Sequence, residues 1–357
     1  MTTTSARGHF AFLDALRGLA ALWVVFNHIE LPIAHDHLPL PLRVWLIEYG
    51  GLGVQVFFAI SGFVIAHSVR NVHMNGPEFG NFMARRFVRI SPPYYAAVIL
   101  AAVVTYLSTR FKHEVWTMPS LGRWLAHAAY LPDLLNMEMI NGVHWTLYLE
   151  MQFYLLFALV LWFIEPLAQR WSNAAQVVMA SVGAIALIYP LFDLRNAREH
   201  YFLPYCFAFV IGVFVQWYVT KRLRPEIFFA YISLLGLAWV LHGDSLVGAG
   251  FVAGLIILAS TVGDRSQRWL RQRPFAFLGK ISYSLYLVHA PIIGATFYFG
   301  TKMFGDTESV QVALIAPLVL LSVATGAIAW KLFEEPAVRW SRSLRRRPAP
   351  SVAVALT

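Results

Sequence analysis

Ten apolar runs dominate the chain, and each has about the length that a helix needs to cross a bilayer, ~18–25 residues. Hydrophobic residues make up 58% of the sequence and charged residues only 13%, which is more apolar than a soluble domain. The sequence therefore predicts an all-α fold, a polytopic membrane helical bundle with about ten transmembrane helices. The predicted helices are 12–29, 51–68, 93–109, 145–164, 174–192, 201–219, 225–242, 245–262, 277–299 and 310–333.

The basic residues predict which side of the membrane each loop faces. If both termini are cytoplasmic, 20 of the 28 Lys and Arg residues fall in cytoplasmic segments and 7 in outward ones. Cytoplasmic loops of membrane proteins are enriched in basic residues, so this distribution favours both termini inside. The net charge of +9 is spread over the loops without a long basic stripe, which indicates contact with the lipid bilayer and not with nucleic acid.

The chain shows no repeat of fixed period, so we expect one membrane domain over 1–335 and a short basic cytoplasmic tail over 336–357. The tail is expected to lack fixed structure at its end, after Arg345, Arg346 and Arg347 have anchored the last helix to the anionic inner leaflet. Two outward loops, 30–50 and 110–144, are long enough to bind an external ligand or to form lids or interfacial helices. The single cysteine, Cys206, offers neither a disulfide nor a metal cluster, and no metal is expected.

The first apolar run contains an arginine, Arg17, and a histidine, His28, eleven positions further on. An arginine at the centre of a membrane helix costs about 2.5–3.5 kcal/mol, so such residues usually mark a site. Eleven helical steps advance about 16 Å and leave the two side chains about 20° apart around the axis. The pair could hold an elongated anionic ligand at one end and transfer a proton at the other. Alternatively, Arg17 pairs with Asp14 and His28 lies at the membrane interface.

Further polar residues interrupt the later apolar runs. Glu150 falls two turns into its predicted helix, and His289 falls in the outer half of another. Arg85, Arg86 and Arg89 precede the third helix, where they either bind phosphates or only fix the orientation of the chain. In the second helix, Ser61 and its neighbour Gly62 either permit close helix packing or supply a catalytic serine, for which no acid–base partner lies at a diagnostic spacing.

Six segments in chain order carry a family resemblance over nearly the full length. They are LDALRGLAALWVVFNH, VFFAISGFVI, ARRFVRISPPYY, HWTLYLEMQFYLL, LGKISYSLYLVHAP and FEEPAVRW. Together they resemble the acyltransferase-3 family of integral membrane O-acyltransferases. The resemblance implies transfer of an acetyl or other short acyl group, usually from acetyl-CoA, to hydroxyls of surface polysaccharides, lipopolysaccharide, peptidoglycan, lipid-linked saccharides or secondary metabolites. It also implies that Arg17 with His28, and Arg86 with Arg89, are essential.

This resemblance leads to a mechanistic hypothesis. Acyl-CoA enters from the cytoplasm, and Arg85, Arg86, Arg89 and Arg17 hold it. His28 acts as the general base toward the acceptor hydroxyl, and Glu150 orients the imidazole. The acceptor is expected to be a saccharide or glycan-lipid, and the protein is expected in the bacterial inner membrane, with a separate periplasmic partner where transfer needs one.

Two more residues are predicted to bind the substrate, and one other class of function stays open. His289 and Trp145 are the predicted substrate-binding residues, although tryptophan is also common at membrane interfaces. The alternative function is a proton-coupled transporter or flippase of a glycan-lipid or acylated substrate, with Arg17, His28 and Glu150 as a proton relay. Such a protein would not consume acyl-CoA in the absence of a gradient.

Overall fold

The computed structural model describes residues 10–29, 49–194, 201–261 and 270–345, and within these ranges all regular structure is helical. The first six α-helices are α1 (Ala11–Ile29), α2 (Gly53–Ser68), α3 (Gly76–Phe111), α4 (Leu121–Ala128), α5 (Trp145–Arg170) and α6 (Ala174–Leu191). The remaining six are α7 (Cys206–Val219), α8 (Pro225–His242), α9 (Ser245–Ser260), α10 (Arg273–Phe304), α11 (Glu308–Ala329) and α12 (Glu335–Ser343). Short 3₁₀ turns precede α2, α5 and α7, at Gly50–Leu52, Gly142–His144 and Leu203–Tyr205.

Eight of the described helical segments are long and apolar enough to cross a membrane. They contain α1, α2, α3, α5, α6, α8, α10 and α11, and two shorter apolar segments contain α7 and α9. All ten predicted helices coincide with one of these segments. The prediction of a polytopic helical membrane bundle is therefore confirmed.

The third helix is much longer than the predicted 93–109. It runs without interruption from Gly76 to Phe111, with Pro92 and Pro93 inside it. The side chain of Asn75 caps its first turn by accepting a hydrogen bond from the Glu78 amide at 3.0 Å. The arginine-rich segment is consequently part of a helix, and its side chains project in fixed directions.

Two glycines bring α1 and α10 into backbone contact. A Cβ atom on Gly18 would overlap the backbone of Leu278 and Gly279, and one on Gly279 would overlap the Asp14 carbonyl. Small residues permit such close approach, which suits a bilayer because helices there associate largely by close packing. Arg17, the residue before Gly18, is thereby fixed close to α10.

A second close contact joins α2 to α7. A Cβ on Gly62 would overlap the Phe209 carbonyl, and one on Gly212 would overlap the Ala59 carbonyl. Helix α7 is buried on all sides and apolar nearly throughout, as expected for a helix at the centre of a bundle. Gly62 therefore has the packing role that its size suggested, and its neighbour Ser61 is held at a fixed position.

The end of the chain forms an additional helix. After α11 the backbone passes through one π-helical stretch, Trp330–Glu334, and continues as α12, which packs against the first turns of α3. Residues 336–343 of the predicted tail are thus helical. The predicted unstructured end, like most of the 30–50 loop, lies outside the described residues. The other long outward loop contains the amphipathic helix α4.

Candidate functional site

A cavity of about 100 Å³ opens between α1, α2, α3, α5 and α10. Along α2 its lining extends from Val54 to Ile65, a rise of about 16 Å. Other lining residues come from the four neighbouring helices and from the π-helical stretch. The polar residues that line it are Arg17, Ser61, Arg86, Arg89, Thr146, Glu150, Tyr154, Tyr283, Tyr286 and Glu334.

One end of the cavity holds three arginines, Arg17, Arg86 and Arg89. This set matches the sequence prediction for a phosphate-binding cluster except for Arg85, which does not line the cavity. The guanidinium of Arg86 donates to Ser68 Oγ at 2.9 Å and lies 5.6 Å from the centre of the Tyr154 ring. These contacts orient Arg86 and leave donors of a planar guanidinium for an anion.

Glu334 faces these arginines and was missed by the sequence analysis. Its Oε2 atom accepts hydrogen bonds from the Ser284 amide at 3.2 Å and from Ser284 Oγ at 2.6 Å. The charges of Arg17 and Arg89 act on the same carboxylate. Glu334 ends the π-helical stretch, a feature that often occurs at functional sites. Its signal in the sequence was the closing FEEPAVRW segment, in which no single residue was selected.

One carboxylate, Glu150, lies in the middle of the cavity with two hydroxyl groups bound to it. Ser61 Oγ donates to Glu150 Oε1 at 2.8 Å, and the Tyr154 hydroxyl donates to the same oxygen. Ser61 and Glu150 are 89 positions apart, so no local spacing could have indicated the pair. The partner of Glu150 is thus different from the predicted one: within the described residues no hydrogen bond joins Glu150 to His28.

His28 and His289 form a pair beyond the other end of the cavity. Their ring centres are 4.8 Å apart in an edge-to-face arrangement. Tyr286, which lines the cavity, has its ring 5.7 Å from that of His289. The rings of Tyr286 and His289 therefore lie between the cavity and His28, and His28 itself is partly exposed.

The hydrogen bonds of this pair fix the tautomer of each histidine. His28 Nδ1 lies 2.9 Å from the Val24 carbonyl, and His289 Nδ1 lies 2.7 Å from the Tyr286 carbonyl. A carbonyl only accepts, so each Nδ1 carries the hydrogen and each Nε2 presents a lone pair. His289 is fully buried, and its Nε2 has no hydrogen-bond partner among the described residues. His28 Nε2 is consequently a candidate proton acceptor.

Trp145 and His289, the predicted substrate-binding residues, do not line the cavity. Trp145 begins α5 and packs on Tyr205 and Phe58, with ring centres 5.1 Å and 6.4 Å away. Their contact with a substrate stays a prediction. Within the described ranges, no three His, Cys, Asp or Glu side chains are grouped to hold a metal ion.

A separate polar network lies at the outward loop. His127 of α4 accepts a hydrogen bond from the Ile140 amide at Nε2, and its Nδ1 lies 3.0 and 3.1 Å from the hydroxyls of Tyr94 and Tyr148. Burial, with a smaller contribution from the charge of Arg123, lowers the pKa of His127 to about 4. His127 is therefore a neutral structural residue that fixes α4 to α3 and α5.

The described helices thus enclose a polar cavity with three arginines at one end and a pair of contacting histidines beyond the other. Comparison with known proteins gives the family: residues 10–333 match the model of the Acyl_transf_3 acyltransferase domain, and the chain belongs to this family of membrane O-acyltransferases. The resemblance noted from the six sequence segments is thus confirmed.

Several relatives align over nearly the whole chain. Nodulation protein 10 of Rhizobium leguminosarum bv. viciae is 25% identical, with 95% of this chain and 96% of that protein aligned. Acyltransferase MdmB of Streptomyces mycarofaciens is 26% identical, with 94% and 93% aligned. O-acetyltransferase OatA of Staphylococcus aureus is 26% identical over 91% of this chain, which spans 56% of that longer protein. No solved structure matches the chain.

Proposed function

We propose that this O-acyltransferase moves an acyl group, acetyl by preference, from cytoplasmic acyl-CoA to a hydroxyl of a saccharide or glycan-lipid acceptor in the bacterial inner membrane. The observation that carries the proposal is one cavity with Arg17, Arg86 and Arg89 at one end, and beyond its other end a row of ring contacts from Tyr286 to His289 and from His289 to His28. The name of the staphylococcal relative, an O-acetyltransferase, supports acetyl as the acyl group.

The arginine end suits the phosphates of the donor. Three guanidiniums converge there with two carboxylates beside them, Glu334 and Glu150, so the cluster still carries excess positive charge. Arginine binds phosphate oxygens bidentately, which fixes both position and orientation. The extended thiol arm of CoA would then follow the length of the cavity, about 16 Å along α2, and bring the thioester toward His28.

His28 acts as the general base in this proposal. Its Nδ1 hydrogen is held by the Val24 carbonyl, so Nε2 takes the proton of the acceptor hydroxyl while the hydroxyl oxygen attacks the thioester carbonyl. The carbon–sulfur bond then breaks, the CoA thiolate leaves, and the proton passes from His28 to the sulfur. The products are the O-acyl ester and free CoA. The ring of His289 restricts the orientation of His28 throughout.

The role we propose for Glu150 differs from the sequence prediction, in which it orients the imidazole of His28. Both recorded hydrogen bonds to its carboxylate use Oε1, with Ser61 and Tyr154 as donors. They hold the carboxylate in one orientation in the middle of the cavity, where Oε2 can accept a hydrogen bond from an amide N–H of the CoA arm or from a hydroxyl. We therefore propose that Glu150 positions a substrate.

The test is transfer of radiolabelled acetyl from acetyl-CoA into membrane-associated glycan in vesicles without an ion gradient. We expect label with the wild type and none with His28→Ala or with Arg86→Ala/Arg89→Ala. Controls are His242→Ala, a histidine that contacts the Leu191 carbonyl away from the cavity, and Arg110→Ala/Lys112→Ala at the other end of α3. A wild type that leaves acetyl-CoA unconsumed would contradict the proposal and favour the transporter alternative.

A further inference from the structure

Arg85 is the one predicted phosphate-binding arginine that lies outside the cavity, and it is associated with α12. The hydroxyl of Ser341 donates to the Arg85 carbonyl at 2.8 Å, and the Asn81 side chain donates to the Leu344 carbonyl at 2.8 Å. These two hydrogen bonds join α12 to the arginine-bearing turns of α3. The end of the described chain is thus a fixed wall beside the arginine end of the cavity.

The charges around Arg85 are unbalanced. Its guanidinium interacts with two positive neighbours, Arg89 and Arg345, and with one negative neighbour, Glu78. In addition, its Nε is buried and has no hydrogen-bond partner in the described structure. A buried donor without an acceptor among like charges is costly, and one bound anion would remove both costs.

We propose that Arg85 and Arg345 form a second anion site, which binds the 3′-phosphate of CoA at the mouth of the cavity. The inference rests on the proposed function, in which Arg17, Arg86 and Arg89 bind the pyrophosphate of the same molecule. CoA carries these phosphates on two separate parts of its nucleotide. Arg85 and Arg89 are one helical turn apart, about 6 Å. One arginine can therefore contact the 3′-phosphate while the other contacts the pyrophosphate.

The phosphate of an anionic lipid has the same chemistry, so the experiment separates the two sources. Purified full-length protein is reconstituted in nanodiscs of phosphatidylcholine alone or with phosphatidylglycerol. Dissociation constants are measured for CoA and for 3′-dephospho-CoA. This binding measurement needs no acceptor substrate. The variants are Arg345→Gln and Arg85→Gln. The matched control is Arg339→Gln, which removes the same charge from α12 at a position that interacts with Glu335.

The wild type should bind CoA about tenfold more tightly than 3′-dephospho-CoA, which corresponds to one charge-assisted hydrogen bond at a partly exposed site. Arg345→Gln and Arg85→Gln should remove this difference by weakening CoA binding only. Arg339→Gln should preserve it. Elution of each variant at the wild-type volume in size-exclusion chromatography verifies folding.

Three outcomes would overturn the inference. Equal binding of both nucleotides by the wild type would show that no site for the 3′-phosphate exists, while the donor stays CoA. A loss of affinity in Arg345→Gln that is equal for both nucleotides would assign the arginines to a group that the two nucleotides share, and a loss that appears only with phosphatidylglycerol would assign them to lipid. Failure of the wild type to bind either nucleotide would instead contradict the proposed function itself.

Discussion

The two ends of the cavity differ in their side chains, arginines at one and histidines beyond the other, although helix α1 contributes a residue to each. At one end Arg17 joins Arg86 and Arg89, with two carboxylates, Glu334 and Glu150, beside these guanidinium groups. Toward the outer end His28 and His289 pack ring against ring, with each Nδ1 bound to a carbonyl. The two ends therefore offer a ligand different groups: guanidinium donors at one, and imidazole nitrogen atoms at the other.

The packing of α1 on α10 sets the distance between these ends. Gly18 and Gly279 hold the two helices in backbone contact beside Arg17, and both histidines lie further along the same two helices. Residues on a rigid pair of helices keep their separation, so the eleven-residue spacing in the sequence becomes a fixed distance of about 16 Å. The backbone contact between α2 and α7 likewise fixes the position of Ser61, but α7 itself contributes no proposed catalytic group.

The largest expected effect comes from removing the base at the histidine end. His28→Gln should lower kcat by about 10²–10⁴-fold, since general-base catalysis contributes that much, and should leave KM for acetyl-CoA nearly unchanged. Steady-state kinetics with acetyl-CoA as the varied substrate measure both constants. A change in KM alone would show that His28 binds the donor, and the contrast between the two ends would be lost.

Removal of a charge at the arginine end should give the reverse pattern. Arg89→Gln should raise KM for acetyl-CoA by about 10–100-fold, the range of a charge-assisted hydrogen bond, with little change in kcat. Arg110→Gln, at the other end of α3, is the matched control. If Arg89→Gln lowered kcat and left KM unchanged, the inner end would take part in the chemical step.

Hydropathy predicted the bundle well because membrane helices must be continuously apolar, but it missed helices that are polar on one face. The first half of α3 carries three arginines and two following prolines, which suggested a loop before residue 93. Its cap at Asn75 and its contact with α12 stabilise it as a helix. Helix α12 itself is short, charged and amphipathic, so it had no transmembrane signal.

The site could be predicted only in part, because the sequence gives residue types and depth but not partners. The sequence placed His289 in the outer half of its helix, and the structure brings its ring into contact with that of His28. The pairing of Glu150 with Ser61 depends on how α5 lies against α2, and no spacing in the chain encodes it. Glu334 approaches the arginines only because a π-helical stretch ends at that residue.

A smaller effect is expected from loosening the contact that fixes the two ends. Gly279→Ala places a Cβ against the Asp14 carbonyl and should destabilise the protein by about 1–3 kcal/mol, as overpacking does. Gly294→Ala, on the same helix, meets no atom within 4 Å and should be neutral or slightly stabilising. Thermal unfolding of detergent-solubilised protein, followed by size-exclusion chromatography, measures both. Equal stability of the two variants would mean that the α1 and α10 contact is not tight.

The smallest expected effect concerns the pH dependence of stability that results from the burial of one histidine, His127. His127 lies in α4, outside the membrane-spanning helices, and burial lowers its pKa from about 6.5 to about 4. Below pH 6.5 the unfolded chain binds a proton that the folded chain does not, so stability should decrease as the pH falls. At pH 5.5 the loss should be about 1 kcal/mol relative to pH 7.5.

The measurement is the thermal unfolding midpoint of solubilised protein at both pH values, for the wild type and for His127→Gln. A glutamine oxygen can still accept the Ile140 amide but cannot bind a proton, so the variant should lose this part of the pH dependence. Other groups titrate equally in both proteins, which makes the difference between them the relevant quantity. An identical pH dependence in the variant would show that the ring of His127 is accessible to protons in the folded state.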